Sequence, residues 1–245
     1  MYSHRSSTGP VDLAFTDRHG GVSAAPFDSL DLRLVGRDAD DGHDGHDGAD
    51  RRRNLALVLD DFAPVARVAD MEQVHGHRVV TTTGTEAREQ CDALVTDRAD
   101  VVLVVRVADC VPVLLADADA GVVGAAHAGR RGLAEGVVTA CVERMHALGA
   151  TRVRAWVGPH VCGGCYEVPA GLRDEVAALE PATAATTTWG TPGLDLGAGV
   201  RAQLVRAGVE VTDVSRCTRE SADLYSYRRD GARSGRLAGL VRRHG

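Results

Sequence analysis

Residues 101–132, VVLVVRVADCVPVLLADADAGVVGAAHAGRRG, decide the fold of this chain. The runs at 101–107, 111–116 and 121–126 are nearly continuous in apolar residues, which is typical of strands buried on both faces. Between the second and third runs, residues 117–120 read Asp-Ala-Asp-Ala, a turn-prone tetrapeptide of the right length for a hairpin loop. We therefore predict a central β-hairpin with its loop at 117–120.

This hairpin brings two reactive side chains together. With the loop at 117–120, Cys110 lies directly opposite His127, and paired residues have Cβ atoms about 4.5–5.5 Å apart on one face of the sheet. A thiol and an imidazole at that distance can share a metal or form a nucleophile–base pair. Pro112, which fits only an edge, a strand start or a bulge, can shift the register by one residue and separate the two groups.

The composition excludes several kinds of chemistry. All 28 basic residues are arginine, so the chain has no lysine for a Schiff base, a pyridoxal-phosphate site or a Walker-type phosphate loop. A net charge of −6 provides no general positive field for nucleic acid. No apolar run reaches the length of a membrane span, and the N-terminus has no apolar signal core. The six cysteines are therefore expected to be reduced thiols in the cytoplasm.

Hydrophobic periodicity predicts alternating strands and helices around the hairpin. Strands are expected at 11–18, 27–35, 79–83, 152–157, 209–214 and 237–241, and helices at 50–61, 133–148, 169–180 and 195–207. The alternation indicates an α/β fold in which a mixed β-sheet has helices on both sides. No repeat or linker divides the sequence, so residues 1–245 are expected to form a single domain.

The segment at 36–50 carries a DGH repeat and lacks large apolar residues, which predicts a flexible, solvated loop. His43 and His46 lie among its aspartates and can bind a metal loosely. A tolerated insertion is the favoured interpretation of this composition.

Two further patterns carry metal-ligating side chains. His75 and His77 form a His-x-His pair, which in a strand puts both imidazoles on one face. Cys162 and Cys165 form a CxxC pair, which is either half of a zinc site or a redox pair. A complete zinc site needs two more ligands, and the chain has no second CxxC. A loop with neutral thiols is therefore the favoured interpretation of this pair.

The sequence after His127 turns through a glycine into a predicted helix, and Arg131 lies in that turn. The free N–H groups of a helix N-terminus attract anions, and a guanidinium adds a two-pronged donor. This arrangement predicts an anion site beside His127.

Five motifs together resemble the YfiH/laccase-domain family, also called multicopper polyphenol oxidase-like proteins or peptidoglycan editing factors. They are QVHG at 73–76, ADC at 108–110, HAGRRG at 127–132, GPHVCGGCYEV at 158–168 and SYRRDGARSGR at 226–236. The opening FTDRHGGVSAAPFDSLDL is also similar to that of the family. The resemblance spans nearly the whole chain and keeps the order of the motifs. The family usually has Trp where this chain has Arg130, and SLNL where this chain reads SLDL.

The resemblance implies a metal site and a purine substrate. His75, Cys110 and His127 match the three metal ligands of the family, which hold zinc, with copper also possible. The implied activity is phosphorolysis of adenosine, inosine, guanosine and methylthioadenosine, together with hydrolytic deamination of adenosine. Purine nucleosides and phosphate are then the expected partners, and nucleic acid and membranes are not.

The remaining site residues follow from the same resemblance. Arg131 and Arg228 are candidates for orienting phosphate, and Tyr166 for contacting the nucleoside. Asp109, next to Cys110, is either an acid/base or a carboxylate that supports the metal ligands from behind. Arg130 is expected at the rim or in solvent. We expect a monomer or a weak homo-oligomer.

Competing functions remain open from the sequence. A Cys–His hydrolase acting on peptidoglycan precursors would use Cys110 as nucleophile and His127 as base, without a metal. A true copper polyphenol oxidase is a weaker hypothesis, because the sequence lacks the histidine patterns of multicopper sites. A partner-binding protein without activity has no supporting surface motif.

Overall fold

A computed structural model describes residues 1–34 and 44–244 of the chain. Within these residues the strands are β1 Tyr2–Thr8, β2 Val11–Thr16, β3 Arg67–Asp70, β4 Val79–Thr81, β5 Ala93–Thr96, β6 Val101–Val107, β7 Val111–Asp117, β8 Val122–Ala128, β9 Arg154–Val157, β10 Ala184–Thr186, β11 Pro192–Leu194, β12 Glu210–Asp213 and β13 Leu237–Arg243. The α-helices are α1 Asp44–Phe62, α2 Arg130–Ala134, α3 Val137–Ala147, α4 Ala170–Leu179, α5 Leu196–Arg206 and α6 Tyr227–Asp230.

The described strands form two large sheets and one small hairpin. The first sheet has the order β1-β2-β13-β6-β3, the second has the order β12-β9-β7-β8-β5-β4, and β10 pairs with β11. Both large sheets are mixed, because β3 runs parallel to β6 in one and β4 parallel to β5 in the other, while most other pairs are antiparallel. The mixed character predicted from the sequence is confirmed.

The two sheets pack face to face, and helices cover their outer faces. Phe15 and Leu103 of the first sheet meet Leu114 and Trp156 of the second in one buried cluster. Helix α1 packs on the outside of the first sheet, and helices α3 and α5 pack on the outside of the second. The expected α/β class with helices on both sides is confirmed, with the strands divided between two facing sheets.

The central strands are apolar throughout because both of their faces are covered. In β6, Leu103 points into the cluster between the sheets, while Val102 and Val104 pack beneath α1. In β7, Leu114 faces the other sheet and Val113 faces the helices. This arrangement explains the unbroken runs of Val and Leu in the sequence.

The central hairpin forms, but its loop lies one residue later than predicted. The loop occupies 118–121, and Pro112 pairs with His127. Asp117 stays in the strand, where its carboxylate accepts the backbone N–H groups of Asp119 and Ala120. Gly121 closes the loop with a φ of 70°, a conformation that favours glycine.

The predicted direct pairing of Cys110 with His127 is therefore wrong. Cys110 immediately precedes β7 and lies two residues before Pro112, the partner of His127. A displacement of two residues preserves the face of the sheet, so Cys110 becomes a diagonal neighbour of His127 and remains within reach.

Two other predicted elements differ in the structure, and one strand was not predicted. The helix expected at 133–148 is two helices, α2 and α3, because Gly136 between them has a φ of 84°. The strand expected at 27–35 is absent over 27–34, where the buried Asp31 carboxylate accepts the backbone N–H groups of Arg33 and Arg236. Strand β1 had no counterpart in the sequence prediction.

The predicted loop at 36–50 is helical from Asp44 onward, because α1 includes its last seven residues. The rest of that segment, with His43, lies outside the described residues, as does the side chain of His46. None of the described helices has the length and apolarity that a membrane span needs.

Candidate metal centre

The three predicted ligands converge at one end of the second sheet. The ligand atoms of His75, Cys110 and His127 all lie within 4.8 Å of one another. His127 lies near the end of β8, Cys110 precedes β7, and His75 belongs to the loop before β4. The two imidazole rings meet edge to face, with centroids 4.8 Å apart. Two strand ends and one loop thus bring together side chains that are far apart in sequence.

A buried carboxylate, Asp92, holds the side chain of His127 and the backbone of His75. Its Oδ1 atom lies 2.8 Å from His127 Nδ1 and 2.9 Å from the backbone nitrogen of His75, and its Oδ2 atom accepts the N–H group of Gly76 at 2.7 Å. Because Nδ1 of His127 is engaged by Asp92, Nε2 is the nitrogen left for a ligand. Metal-binding histidines are commonly oriented in this way.

The pKa of Asp92 is lowered despite burial, which alone would raise it, because His127 and backbone N–H groups hydrogen-bond to the charged carboxylate. Asp92 is the functional residue that the sequence reasoning missed. Its signal is an acidic residue at the start of a strand, β5, that is buried along its whole length.

The thiol and the imidazole of the cluster favour their charged forms. Burial opposes ionisation of Cys110, but the positive charge of His127 and hydrogen bonds from His127 and His75 outweigh it and lower the pKa of Cys110 to about 6. Burial likewise opposes protonation of His127, but the Cys110 thiolate and Asp92 raise the pKa of His127 to about 9. The protein thus stabilises the thiolate that metal binding requires.

The chemistry of these donors fits a catalytic transition metal. One thiolate and two imidazoles suit zinc or copper, whereas magnesium and calcium prefer oxygen ligands. Three protein ligands leave one coordination position for water or substrate, as in catalytic zinc sites. His75, Cys110 and His127 are therefore the residues that could hold zinc or copper.

A cavity of about 730 Å³ opens above the three ligands. This volume is in the range of small-molecule sites. Four arginines and two tyrosines contribute to its lining, namely Arg33, Arg106, Arg228, Arg236, Tyr166 and Tyr227. The cavity therefore combines positive charge with aromatic surface beside the cluster.

Tyr166 and Arg228, two predicted substrate contacts, both line this cavity. The Arg228 guanidinium carbon lies 4.7 Å from the centroid of the Tyr166 ring, so the two side chains stack. Burial and the negative charge of Cys110 raise the pKa of Tyr166, while Arg228 and Arg130 lower it to a smaller extent. Arg130, at the position of the family Trp, is half-buried near Tyr166.

Asp109 lines the cavity, but its carboxylate is engaged by other groups. Oδ1 accepts the hydroxyl of Thr218 at 2.6 Å, and Oδ2 accepts the backbone N–H of Arg228 at 2.5 Å. Its backbone has a φ of 86°, which is uncommon outside glycine. These contacts tie the segment that carries Arg228 to the residue next to Cys110. Of the two roles left open by the sequence, they favour support over proton transfer.

Arg131 does not line the cavity. Its Nε atom donates to the carbonyl oxygen of His75 and one Nη atom donates to that of Val74, both at 3.0 Å, and Glu135 lies nearby. The expectation that Arg131 binds phosphate does not fit this placement, because the guanidinium is already used to hold the His75 loop. Arg131 is itself part of α2, which has only five residues.

His77 lies away from the cluster, where its Nδ1 atom contacts Glu135 at 2.9 Å on the surface. The prediction that His75 and His77 share one face of a strand is wrong, because the loop is irregular there and His75 has a φ of 60°. His77 is exposed.

The CxxC pair also lies outside the three-ligand cluster. Burial and the neighbouring Cys217 thiol raise the pKa of Cys162 to about 12, so the thiol is neutral in the metal-free protein. His160 is buried, and its Nδ1 atom lies 2.8 Å from the carbonyl oxygen of Gly158.

Comparison with known proteins agrees with the motif resemblance. The family model described as multi-copper polyphenol oxidoreductase laccase matches residues 12–244. A Streptomyces griseus protein named purine nucleoside phosphorylase ORF3 is 50% identical over a 251-residue alignment that covers 98% of each chain.

Two solved structures extend this likeness to the fold. YlmD from Geobacillus stearothermophilus has a TM-score of 0.83 at 30% identity, covering 96% of this chain and 93% of that one. A Bacillus licheniformis hypothetical protein, YfiH, has a TM-score of 0.80 at 28% identity, covering 94% and 92%. Sequence and fold agree along nearly the full length, and this chain belongs to the multi-copper polyphenol oxidoreductase laccase family, the YfiH-like group that the motifs indicated.

Proposed function

We propose that this protein is a zinc-dependent purine nucleoside phosphorylase that also deaminates adenosine. The observation that carries the proposal is the position of the His75–Cys110–His127 cluster at the floor of an arginine-lined cavity. Phosphate and a neutral nucleoside need these two features together, a positive surface and a reactive centre beside it. The Streptomyces griseus relative that bears the name purine nucleoside phosphorylase supports the same activity.

Phosphate binding falls to the arginines of the cavity. Arg228 and Arg236 line it from the C-terminal segment. Arg106 lines it from β6 and is buried, with Nε donating to the carbonyl oxygen of Leu32 and one Nη atom paired with Asp70. Its other Nη atom has no partner among the described residues. Two-pronged guanidinium contacts suit phosphate oxygens.

Phosphorolysis needs little covalent participation from the protein. A phosphate oxygen forms a bond to ribose C1′ while the C1′–N9 bond breaks, and the electron pair leaves with the purine, which takes up a proton. The arginines hold the attacking anion, and the stacked Tyr166–Arg228 pair provides a surface for the nucleoside. A zinc ion held by His75, Cys110 and His127 would supply a Lewis acid and a bound water of lowered pKa.

Asp92, Asp109 and Arg131 act as positioning residues in this scheme. Asp92 orients His127 and the His75 loop, and Arg131 holds the same loop from outside. Asp109 fixes the backbone of Arg228 next to Cys110. We propose that each of them affects activity through the geometry of its neighbour.

Residence in the cytoplasm fits the reduced state of the site, because Cys110 must stay a thiol and its five companions are also unpaired cysteines. We expect a monomer or a weak homo-oligomer, with purine nucleosides and phosphate as partners.

A nucleoside panel tests the activity directly. Inosine, guanosine, adenosine and methylthioadenosine are incubated with zinc-loaded protein, with and without phosphate, while free base and ammonia are measured. We expect base release to require phosphate for all four nucleosides, and ammonia to appear from adenosine without it. Cys110→Ser protein should lose both activities together. Base release at the same rate without phosphate would contradict a phosphorylase.

A Cys–His hydrolase, such as one acting on peptidoglycan precursors, is the second candidate. One observation favours it: Cys110, His127 and Asp92 are arranged as nucleophile, base and orienting carboxylate, and the pKa of the thiol is lowered to about 6. Removal of metal separates the two functions. A thiol hydrolase stays active in chelated protein and is blocked by alkylation, whereas the proposed phosphorylase is inactive until zinc is restored.

A further inference from the structure

A second cluster of metal-ligating side chains lies beside the cavity. The ligand atoms of Cys162, Cys165, Cys217 and Glu220 all lie within 4.8 Å of one another. The first two residues belong to the turn after β9, and the other two to the turn between β12 and α6. The two turns are more than fifty residues apart in sequence, and the fold brings them together.

The spacing of these residues completes a pattern that the sequence left incomplete. Cys162 and Cys165 form a Cys-x-x-Cys pair, and Cys217 and Glu220 form a Cys-x-x-Glu pair. Zinc sites of structural type are built from two such turns, each giving two ligands. A search for a second CxxC misses this site because a carboxylate takes the fourth place.

We propose that Cys162, Cys165, Cys217 and Glu220 form a second metal site, which binds zinc or another thiophilic divalent cation. Three thiolates favour such a cation over magnesium or calcium. Four protein ligands leave no open position, so the site would be structural rather than catalytic.

The backbone around the four side chains is already arranged for binding. The Cys165 N–H donates to the carbonyl oxygen of Cys162 at 2.9 Å, and the Ser221 N–H donates to that of Cys217 at 3.0 Å, so both pairs lie in tight turns. The Cys162 N–H points at the Cys217 sulfur, 3.4 Å away, as in many metal–thiolate turns. Cys165 Sγ lies 3.4 Å from Glu220 Oε1.

The two turns are also joined by backbone pairing. The N–H of His160 donates to the carbonyl oxygen of Arg216, and the N–H of Thr218 donates to that of His160. This bridge fixes the separation between the CxxC turn and the Cys-x-x-Glu turn. A metal would therefore bind to a prepared set of donors instead of gathering them from mobile loops.

Every cysteine of the cluster neighbours a residue that shapes the cavity. Val161 and Tyr166 line the cavity and directly flank Cys162 and Cys165. Thr218, which follows Cys217, donates its hydroxyl to Asp109. The second metal would thus hold the wall that carries Val161 and Tyr166, and the Thr218 hydroxyl that contacts Asp109. Its loss should loosen this wall without touching the three ligands of the first site.

Metal counting on the full-length protein tests the proposal. Protein purified under reducing conditions, saturated with Zn²⁺ and desalted should contain about two zinc ions per chain. Cys217→Ser and Cys110→Ser should each contain about one, and the double variant should contain almost none. Cys91→Ser is the matched control, because this buried cysteine belongs to neither cluster, and it should keep the full content.

Co²⁺ as a probe distinguishes the two sites without any nucleoside assay. Thiolate-to-cobalt charge transfer absorbs in the near ultraviolet in proportion to the number of thiolate ligands. Three thiolates belong to the second site and one to the first, so Cys110→Ser should retain most of this absorbance. Glu220→Gln changes an exposed side chain and keeps its size. It should keep the band but bind Zn²⁺ about tenfold more weakly in a chelator competition.

Three results would overturn the proposal. One is a single zinc ion per wild-type chain under saturating Zn²⁺ that is lost in Cys110→Ser. Another is unchanged zinc content in Cys217→Ser. The third is a disulfide among the three cysteines in protein freshly purified without reductant. If that disulfide accounts for every cysteine that a thiol titration fails to detect, the cluster is a redox pair instead.

Discussion

Asp92 and His127 are joined by a 2.8 Å hydrogen bond between Oδ1 and Nδ1 at the buried end of the second sheet. The backbone strengthens this link, because the N–H of His127 donates to the carbonyl oxygen of Asp92 at 2.8 Å. The same carboxylate holds the N–H groups of the His75 loop. One acidic side chain therefore orients the His127 imidazole and fixes the loop backbone that carries His75. Its removal changes how the ligands are placed without changing the ligands themselves.

Asp92→Asn should weaken zinc binding about 10- to 100-fold, because the amide cannot provide the negative charge that fixes and polarises His127. Zinc affinity measured by chelator competition checks this prediction. Asp119→Asn is the matched control, because Asp119 lies exposed in the hairpin loop, and its affinity should equal that of the wild type. If both variants bind zinc with equal affinity, Asp92 does not support the metal ligands.

Gly129→Ala should expel the metal without straining the backbone. Gly129 has a φ of −75°, which alanine adopts readily, but a Cβ atom there would lie 2.7 Å from His75 Cδ2 and 3.3 Å from Cys110 Sγ. We expect His75 to be displaced and zinc content to fall well below that of the wild type. Gly171→Ala in α4 is the control, because a Cβ there meets nothing within 4 Å, and it should keep full metal content. Normal zinc binding by Gly129→Ala would contradict the packing described for the site.

The core strands could be predicted from sequence because a strand buried on both faces needs apolar residues at every position, which gives an unbroken apolar run. The hairpin loop was misplaced by one residue because its position depends on side-chain bonds of Asp117 and on the left-handed Gly121, which composition does not reveal. Helix α3 starts anew at Gly136 for a similar reason. The sorting of strands into two sheets depends on long-range pairing, which periodicity does not encode.

The site residues also divide into those that the sequence predicted and those that only the fold reveals. Cys110 and His127 were found from the hairpin, since a displaced register kept them on one face. His75 became visible only through motif resemblance, because its loop reaches the cluster by tertiary contact. Asp92 was missed because its partners, His127 and the His75 loop, are distant in sequence and reach it only in the fold. Cys217 and Glu220 were missed because only the fold places them next to the CxxC turn.

In metal-free protein, alkylation should select Cys110. Its pKa of about 6 keeps it a thiolate at neutral pH, whereas burial raises the pKa of Cys141 and of Cys91 to about 12. The rate of iodoacetamide labelling should rise with pH to a plateau with its midpoint near pH 6, followed by mass spectrometry of the labelled peptide. His127→Ala should move this midpoint upward, because the imidazolium no longer stabilises the thiolate. A midpoint above pH 8 in the wild-type protein would contradict the thiolate–imidazolium pair.

Arg131 and Arg228 should respond differently to truncation, because one holds a loop and the other lines the cavity. Arg131→Ala removes two hydrogen bonds to the carbonyl groups of Val74 and His75, and on a largely exposed side chain we expect these to be worth about 1 kcal/mol. Zinc affinity should therefore fall about fivefold, while the KM for phosphate in inosine cleavage stays unchanged once zinc is saturating. Arg228→Ala should do the reverse, raising the phosphate KM about tenfold with normal zinc affinity, because a guanidinium that contacts the anion is lost. Steady-state kinetics at saturating zinc, combined with chelator competition, separates the two effects. A raised phosphate KM in Arg131→Ala with normal zinc affinity would show that Arg131 contacts the substrate instead of holding the loop.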